Sequence, residues 1–120
     1  MEKNELYQSL LNIMVDYLPD EWEKIVAMFI CDEKVCSYSL YAKLPSGKYT
    51  SCMEDSEESD FDVDDMLEML SLDKEENNET WITMTMIIQN TGDFNVEYDY
   101  DKPDYEEYSH IDKWINKYLV

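Results

Sequence analysis

Trp81-Ile82-Thr83-Met84-Thr85-Met86-Ile87-Ile88-Gln89-Asn90-Thr91-Gly92-Asp93-Phe94-Asn95-Val96-Glu97-Tyr98-Asp99-Tyr100-Asp101 is the stretch that decides the fold. Two runs rich in β-branched and aromatic residues flank Asn90-Thr91-Gly92, and a three-residue loop with glycine in the left-handed position closes hairpins. Pairing Gln89 with Asp93 then fixes the register of the rest. Ile88 faces Phe94, Met86 faces Val96, Met84 faces Tyr98 and Ile82 faces Tyr100, an apolar face suited to a core. The alternating side chains pair Ile87 with Asn95, Thr85 with Glu97, Thr83 with Asp99 and Trp81 with Asp101. This second face is expected to show threonine and carboxylate to the exterior, with an aromatic at its end.

Upstream of the hairpin, Glu54 to Asp65 holds Glu54, Asp55, Glu57, Glu58, Asp60, Asp62, Asp64 and Asp65 without a basic residue. Such a block repels itself and reads as a solvated loop leading into a helix from about Phe61 or Val63. Acids at that start suit the positive end of the helix dipole. Val63, Met66, Leu67, Leu70 and Leu72 give the helix a short apolar face, and Asn77-Asn78 closes it.

Further out, Lys3 to Leu18 carries Leu6, Leu10, Ile13 and Tyr17 at helical spacing beside Tyr7, Leu11, Met14 and Leu18, ended by Pro19. Its polar face lacks the cations an anionic membrane would require, so it is expected to cover a sheet. Trp22 to Cys31 and Val35 to Leu44 read as a second hairpin around Asp32-Glu33-Lys34, and Lys48 to Met53 as a third strand after Pro45-Ser46-Gly47. Downstream, Asp104 is a suitable cap for a last helix running to Tyr118 or Leu119, with Tyr108, Ile111, Ile115 and Tyr118 inward and Trp114 near the edge. The expected fold is a single α+β domain over 1–120, helix-β-β-β-helix-β-β-helix, with a largely antiparallel sheet packed by helices.

Composition supports one domain: 120 residues at 44% hydrophobic suffice for a core without covalent staples. Twenty-nine Asp and Glu against nine Lys and Arg give a net charge of -20, which repels nucleic acid and anionic membranes and attracts basic proteins over long range. Three cysteines, with no basic-then-apolar segment at the amino terminus, suit a reduced cytoplasmic protein. No apolar run approaches the roughly 20 residues needed to cross a bilayer.

Chemistry has few candidates. His110, the one histidine, sits beside Ser109, and adjacent helical residues point apart, so they form no nucleophile and base pair. Cys31, Cys36, Cys52 and His110 would bind zinc only if the fold gathered them, and cysteines in strands otherwise pack as small apolar residues. Asp60-Phe61-Asp62-Val63-Asp64-Asp65 lacks the glycine and distal glutamate of a calcium loop. No glycine-rich phosphate loop is present, and the few cations form no nucleic-acid track. Glu97 and Asp99, same-face neighbours on a strand, suit an electrostatic surface better than a tuned acid and base, which disfavours a carboxylate metal hydrolase. No catalytic residue, metal or cofactor is expected.

Recognition of a protein partner is the reading left. Glu97, Asp99 and Asp101 on the hairpin, followed by Asp104, Glu106 and Glu107, can meet Lys and Arg on a protein built to hold phosphates. Thr83 and Thr85 share the strand face, and Glu54, Asp55, Glu57, Glu58 and Asp60 form a second patch. Tyr98 and Tyr100 are assigned to the core, leaving Tyr105 and Tyr108 as possible interface anchors.

The chain also resembles the YezG-like immunity proteins, which include the EsaG-type antitoxins of Gram-positive bacteria. The resemblance lies in the opening helix with Leu18-Pro19-Asp20-Glu21-Trp22-Glu23-Lys24, in Trp81-Ile82-Thr83-Met84-Thr85 leading to Gly92-Asp93-Phe94, in Val96-Glu97-Tyr98-Asp99-Tyr100, and in Trp114 with Lys117-Tyr118-Leu119. It covers most of the chain. It implies a cytoplasmic protein that binds and neutralises the nuclease domain of a cognate secreted toxin, typically exported by a type VII system; that domain is expected to be basic, and the free protein is expected to be a monomer or weak dimer. It implies no catalytic residues. A DNA mimic directed at a host DNA-binding protein is the alternative that the charge allows.

Overall fold

The computed structural model describes residues 2–32, 36–52, 57–101 and 109–119. The elements are α1 (Lys3–Met14), β1 (Lys24–Cys31), β2 (Cys36–Lys43), β3 (Tyr49–Cys52), α2 (Glu57–Glu76), β4 (Thr83–Gln89), β5 (Phe94–Asp99) and α3 (Ser109–Tyr118). A 3-10 turn over Val15–Tyr17 follows α1, and Leu18 is extended, as a residue before proline must be. The architecture is the expected α+β domain with an antiparallel five-stranded sheet, ordered β3-β2-β1-β4-β5.

The strand at the centre is β1, where seven successive residues, Ile25 to Cys31, are buried. A strand with both faces buried reads as a continuous apolar run rather than an alternating one. Ile25, Ala27, Phe29 and Cys31 face the larger core, with Leu6, Leu10 and Met14 of α1, Met66 and Leu70 of α2, and Met84, Met86 and Ile88 of β4. Val26, Met28 and Ile30 face the opposite way, against Trp114 of α3, with Tyr41, Ile87, Ile115 and Tyr118 around them. Two helices therefore cover one face and α3 covers the other. Each fully buried aliphatic side chain here contributes about 1.5–3 kcal/mol relative to exposure.

Several expectations change. The acidic block is not a loop throughout: α2 starts at Glu57, earlier than the expected Phe61 or Val63, because carboxylates in a first turn stabilise a helix through its dipole. Leu72 lies exposed rather than on the inward stripe, and the buried position beyond Leu70 is Asp73. Trp114 is the anchor of α3, only 7% exposed, rather than an edge residue.

The hairpin register is as expected from Ile88↔Phe94 to Thr83↔Asp99, but it does not extend to Trp81 and Ile82. The Ile82 N–H donates to the carbonyl of Asp99 (2.8 Å), so two successive residues, Ile82 and Thr83, oppose one. An extra residue of this kind breaks the alternation. Ile82 accordingly packs on the Trp114 side, while Trp81 enters the larger core against Tyr98, with ring centroids 5.5 Å apart.

Candidate partner-binding surface

β5 is an edge strand, held on its inner side by β4 and with no strand beyond it among the described residues. Its closure follows from local chemistry. Gln89 N–H donates to Asp93 O (2.8 Å), Gly92 N–H donates to Gln89 O (3.0 Å), and Gly92 sits at φ +95°, where a side chain would be strained. This pairing makes Ile87/Asn95, Thr85/Glu97 and Thr83/Asp99 the hydrogen-bonded pairs of the ladder. Phe94, Val96 and Tyr98 therefore turn their backbone groups outward from the sheet edge.

Asn95, Glu97 and Asp99 project from one face of this edge. Glu97 is half-buried, Asp99 and Asp101 are exposed, and Asp99 Oδ1 accepts the Asp101 backbone N–H at 2.9 Å, which holds the Asp99 carboxylate against the chain as it leaves β5. Thr83 beside them is half-buried. Thr85 does not belong to the open surface: it is 2% exposed, and its Oγ1 accepts the Trp114 indole N–H at 2.9 Å. The expectation of a wholly exposed second face fails there because α3 lies across β4 and β1. The same helix brings Lys117 toward the acids. Its ammonium is held above its ordinary range by a hydrogen bond with Tyr118, with Glu97 and Asp99 adding to the effect. The carboxylates thus already attract one cation of their own chain.

The opposite face of β5 is aromatic. Phe94 is 52% exposed and meets Tyr7 edge-on at 6.0 Å, Val96 and Tyr98 are half-buried, and Tyr100 is 61% exposed. Tyr100 is thus corrected from core to surface, because the ladder ends at Asp99 and leaves it no partner strand.

A polar cluster that the sequence reading missed ties this edge to the helices. Tyr7 and Tyr98 share a hydroxyl–hydroxyl hydrogen bond, and Lys3 Nζ donates to Asp73 Oδ2 at 2.6 Å and also to Glu79. Asn77 Nδ2 donates to the carbonyl of Asp73 at 2.9 Å and to its Oδ1 at 3.2 Å. Burial would lower the Lys3 ammonium, yet its two carboxylate partners leave it above the usual value. Burial, the Tyr7 hydrogen bond and the nearby Glu79 and Asp73 raise Tyr98. Asp73 is 4% exposed, and such a carboxylate is tolerated only when paired. Its signal in the sequence is the spacing Met66, Leu70, Asp73, one inward stripe with a charge in it.

Asp104, Glu106, Glu107, Glu54 and Asp55 lie outside the described residues, as do Tyr105 and Tyr108. Glu57, Glu58 and Asp60 have only their backbone described, in the first turns of α2. Among the described residues no group of three His, Cys, Asp or Glu is placed to hold a metal ion, and no helix is long and apolar enough to cross a membrane.

The chain is thus an α+β domain whose antiparallel sheet is covered by helices on both faces and carries carboxylates on its outer strand. Residues 3–119 match the family model of the YezG-like immunity proteins, and the chain belongs to that family. Immunity protein YezG of Bacillus spizizenii is 28% identical over 110 residues, covering 81% of this chain and 68% of the relative.

Proposed function

We propose that this immunity protein acts without catalysis, in the cytoplasm, by binding the basic nuclease domain of a cognate secreted toxin, one exported by a type VII system, and blocking its activity. The observation that carries this reading is the run of Glu97, Asp99 and Asp101 along an exposed sheet edge in a chain of net charge -20. A nuclease needs a cationic cleft for its phosphate substrate, and a fixed row of carboxylates is complementary to it. Thr83 borders the row. Asp104, Glu106 and Glu107 follow it in sequence, and Glu54, Asp55, Glu57, Glu58 and Asp60 supply the second acidic patch of the proposed interface.

Long-range attraction between such surfaces raises association rates about 10- to 1,000-fold and is weakened by salt. The test uses the nuclease domain of the toxin encoded beside the immunity gene in the native host, with stopped-flow association measured from low to physiological ionic strength. Glu97→Lys, Asp99→Lys and Asp101→Lys together should slow association at least about tenfold and flatten its salt dependence. Unchanged rates in a folded triple variant would remove the hairpin acids from the interface. Undiminished nuclease activity at saturating wild-type protein would refute the function itself.

A further inference from the structure

The outer rim of β5 offers backbone as well as charge. Phe94, Val96 and Tyr98 point three N–H and three C=O groups away from the sheet, since the ladder to β4 uses Asn95, Glu97 and Asp99, and among the described residues no strand takes them up. Exposed edges are ready templates for pairing, and proteins usually blunt them with lysine, proline or extreme shortness. The other edge, β3, is kept to four residues. β5 has six, Phe-Asn-Val-Glu-Tyr-Asp, without a lysine or proline, and its two charges are acids, which repel another acidic edge but favour a basic strand.

Resting on the toxin-binding reading above, we propose that β5 captures an extended segment of the toxin domain as a sixth strand. Main-chain hydrogen bonds would supply the affinity and alternating side chains the specificity. The two faces of β5 dictate the sequence of the captured strand. On one side it runs past Glu97 and Asp99 and needs Lys or Arg, while on the other it runs past Phe94, Val96 and Tyr98 and needs apolar residues. The occupant is therefore a strand of alternating basic and apolar residues. A second copy of this chain is disfavoured, because pairing β5 with itself sets carboxylates against carboxylates on chains of charge -20.

Residue-resolved hydrogen exchange on the complex with the purified nuclease domain tests this. The amides of Phe94, Val96 and Tyr98 should exchange quickly in the unbound protein and slow by about tenfold or more on binding, while those of Asn95 and Glu97 are already slow. Val96→Pro removes an outward N–H without touching the internal ladder, a position where proline is tolerated in an edge strand. It should keep the fold, judged by circular dichroism, and lose at least about tenfold in affinity. A tight complex in which those three amides stay fast, or a folded Val96→Pro variant that binds as wild type does, overturns the strand-capture proposal and leaves toxin binding intact. Failure of the wild-type protein to bind the domain overturns both.

Discussion

Replacing Thr85 by valine isolates the contact that fastens α3 to the sheet. Valine keeps the β-branched shape that a central strand favours, so backbone propensity and volume change little. What is lost is the acceptor for the Trp114 indole N–H, 2.9 Å from Thr85 Oγ1, between residues 7% and 2% exposed. An orphaned buried donor costs about 1–3 kcal/mol, and burying a methyl in place of a hydroxyl returns something under about 1 kcal/mol. The expected net loss is about 1–2 kcal/mol, roughly a tenfold shift toward the unfolded state. With a urea slope of roughly 1–3 kcal/mol/M, the denaturation midpoint should fall by about 0.3–2 M at unchanged slope. Trp114→Phe removes the donor instead, and the double variant should cost less than the two single changes together. A Thr85→Val midpoint equal to or above that of the wild type would refute the claim that this hydrogen bond helps hold α3 down. The chain tolerates one such orphan already: the buried Trp81 Nε1 has no hydrogen-bond partner among the described residues.

Stability should fall on the alkaline side. Tyr38 and Tyr98 are raised mainly by burial, and Lys3 is raised by Asp73 and Glu79 against the opposing effect of burial, so all three hold protons more tightly folded than unfolded. Their contribution is complete below the unfolded values of 10.0 and 10.5 and is lost as the unfolded chain releases protons above them. Urea midpoints should therefore drop from about pH 10 upward, and Tyr98→Phe should flatten the decline; a flat wild-type profile to about pH 11 would contradict the assignment. Gly92→Ala should cost about 1 kcal/mol in the same assay, since φ is +95° and an added Cβ meets nothing within 4 Å, which makes the penalty one of backbone conformation alone.

The register of the β4–β5 hairpin was legible in the sequence because Asn90-Thr91-Gly92 admits few closures and the period of two then places each side chain. It ceased to be legible at Ile82, where a main-chain bond to Asp99 breaks the period without any change in residue type. The unbroken apolar run from Ile25 to Cys31 held the information that the sheet is covered on both faces, and it is this coverage that withdraws Thr85 from the surface. Trp114 could be placed only once β1 was seen to need a cover on its second side. The Lys3–Asp73 pair joins residues far apart in sequence: Asp73 stands out as the charge in the Met66 and Leu70 stripe, but nothing in either segment names Lys3 as its partner. Glu97, Asp99 and Asp101 stand on or beside the edge strand as the alternation implied, whereas the outward direction of the Phe94, Val96 and Tyr98 backbone emerges only from the hydrogen-bonding phase of the hairpin.

The central position of β1 also bears on how the chain reaches this state. Its pairing with β2 is local, as is that of β4 with β5, but the seam between β1 and β4 joins partners such as Phe29 and Met84. Closing a loop of about 55 residues costs about 3–4 kcal/mol of chain entropy before any contact across it forms. Zipping that seam is therefore expected to be the slow event, with the hydrophobic flank of β1 open to other chains until it happens.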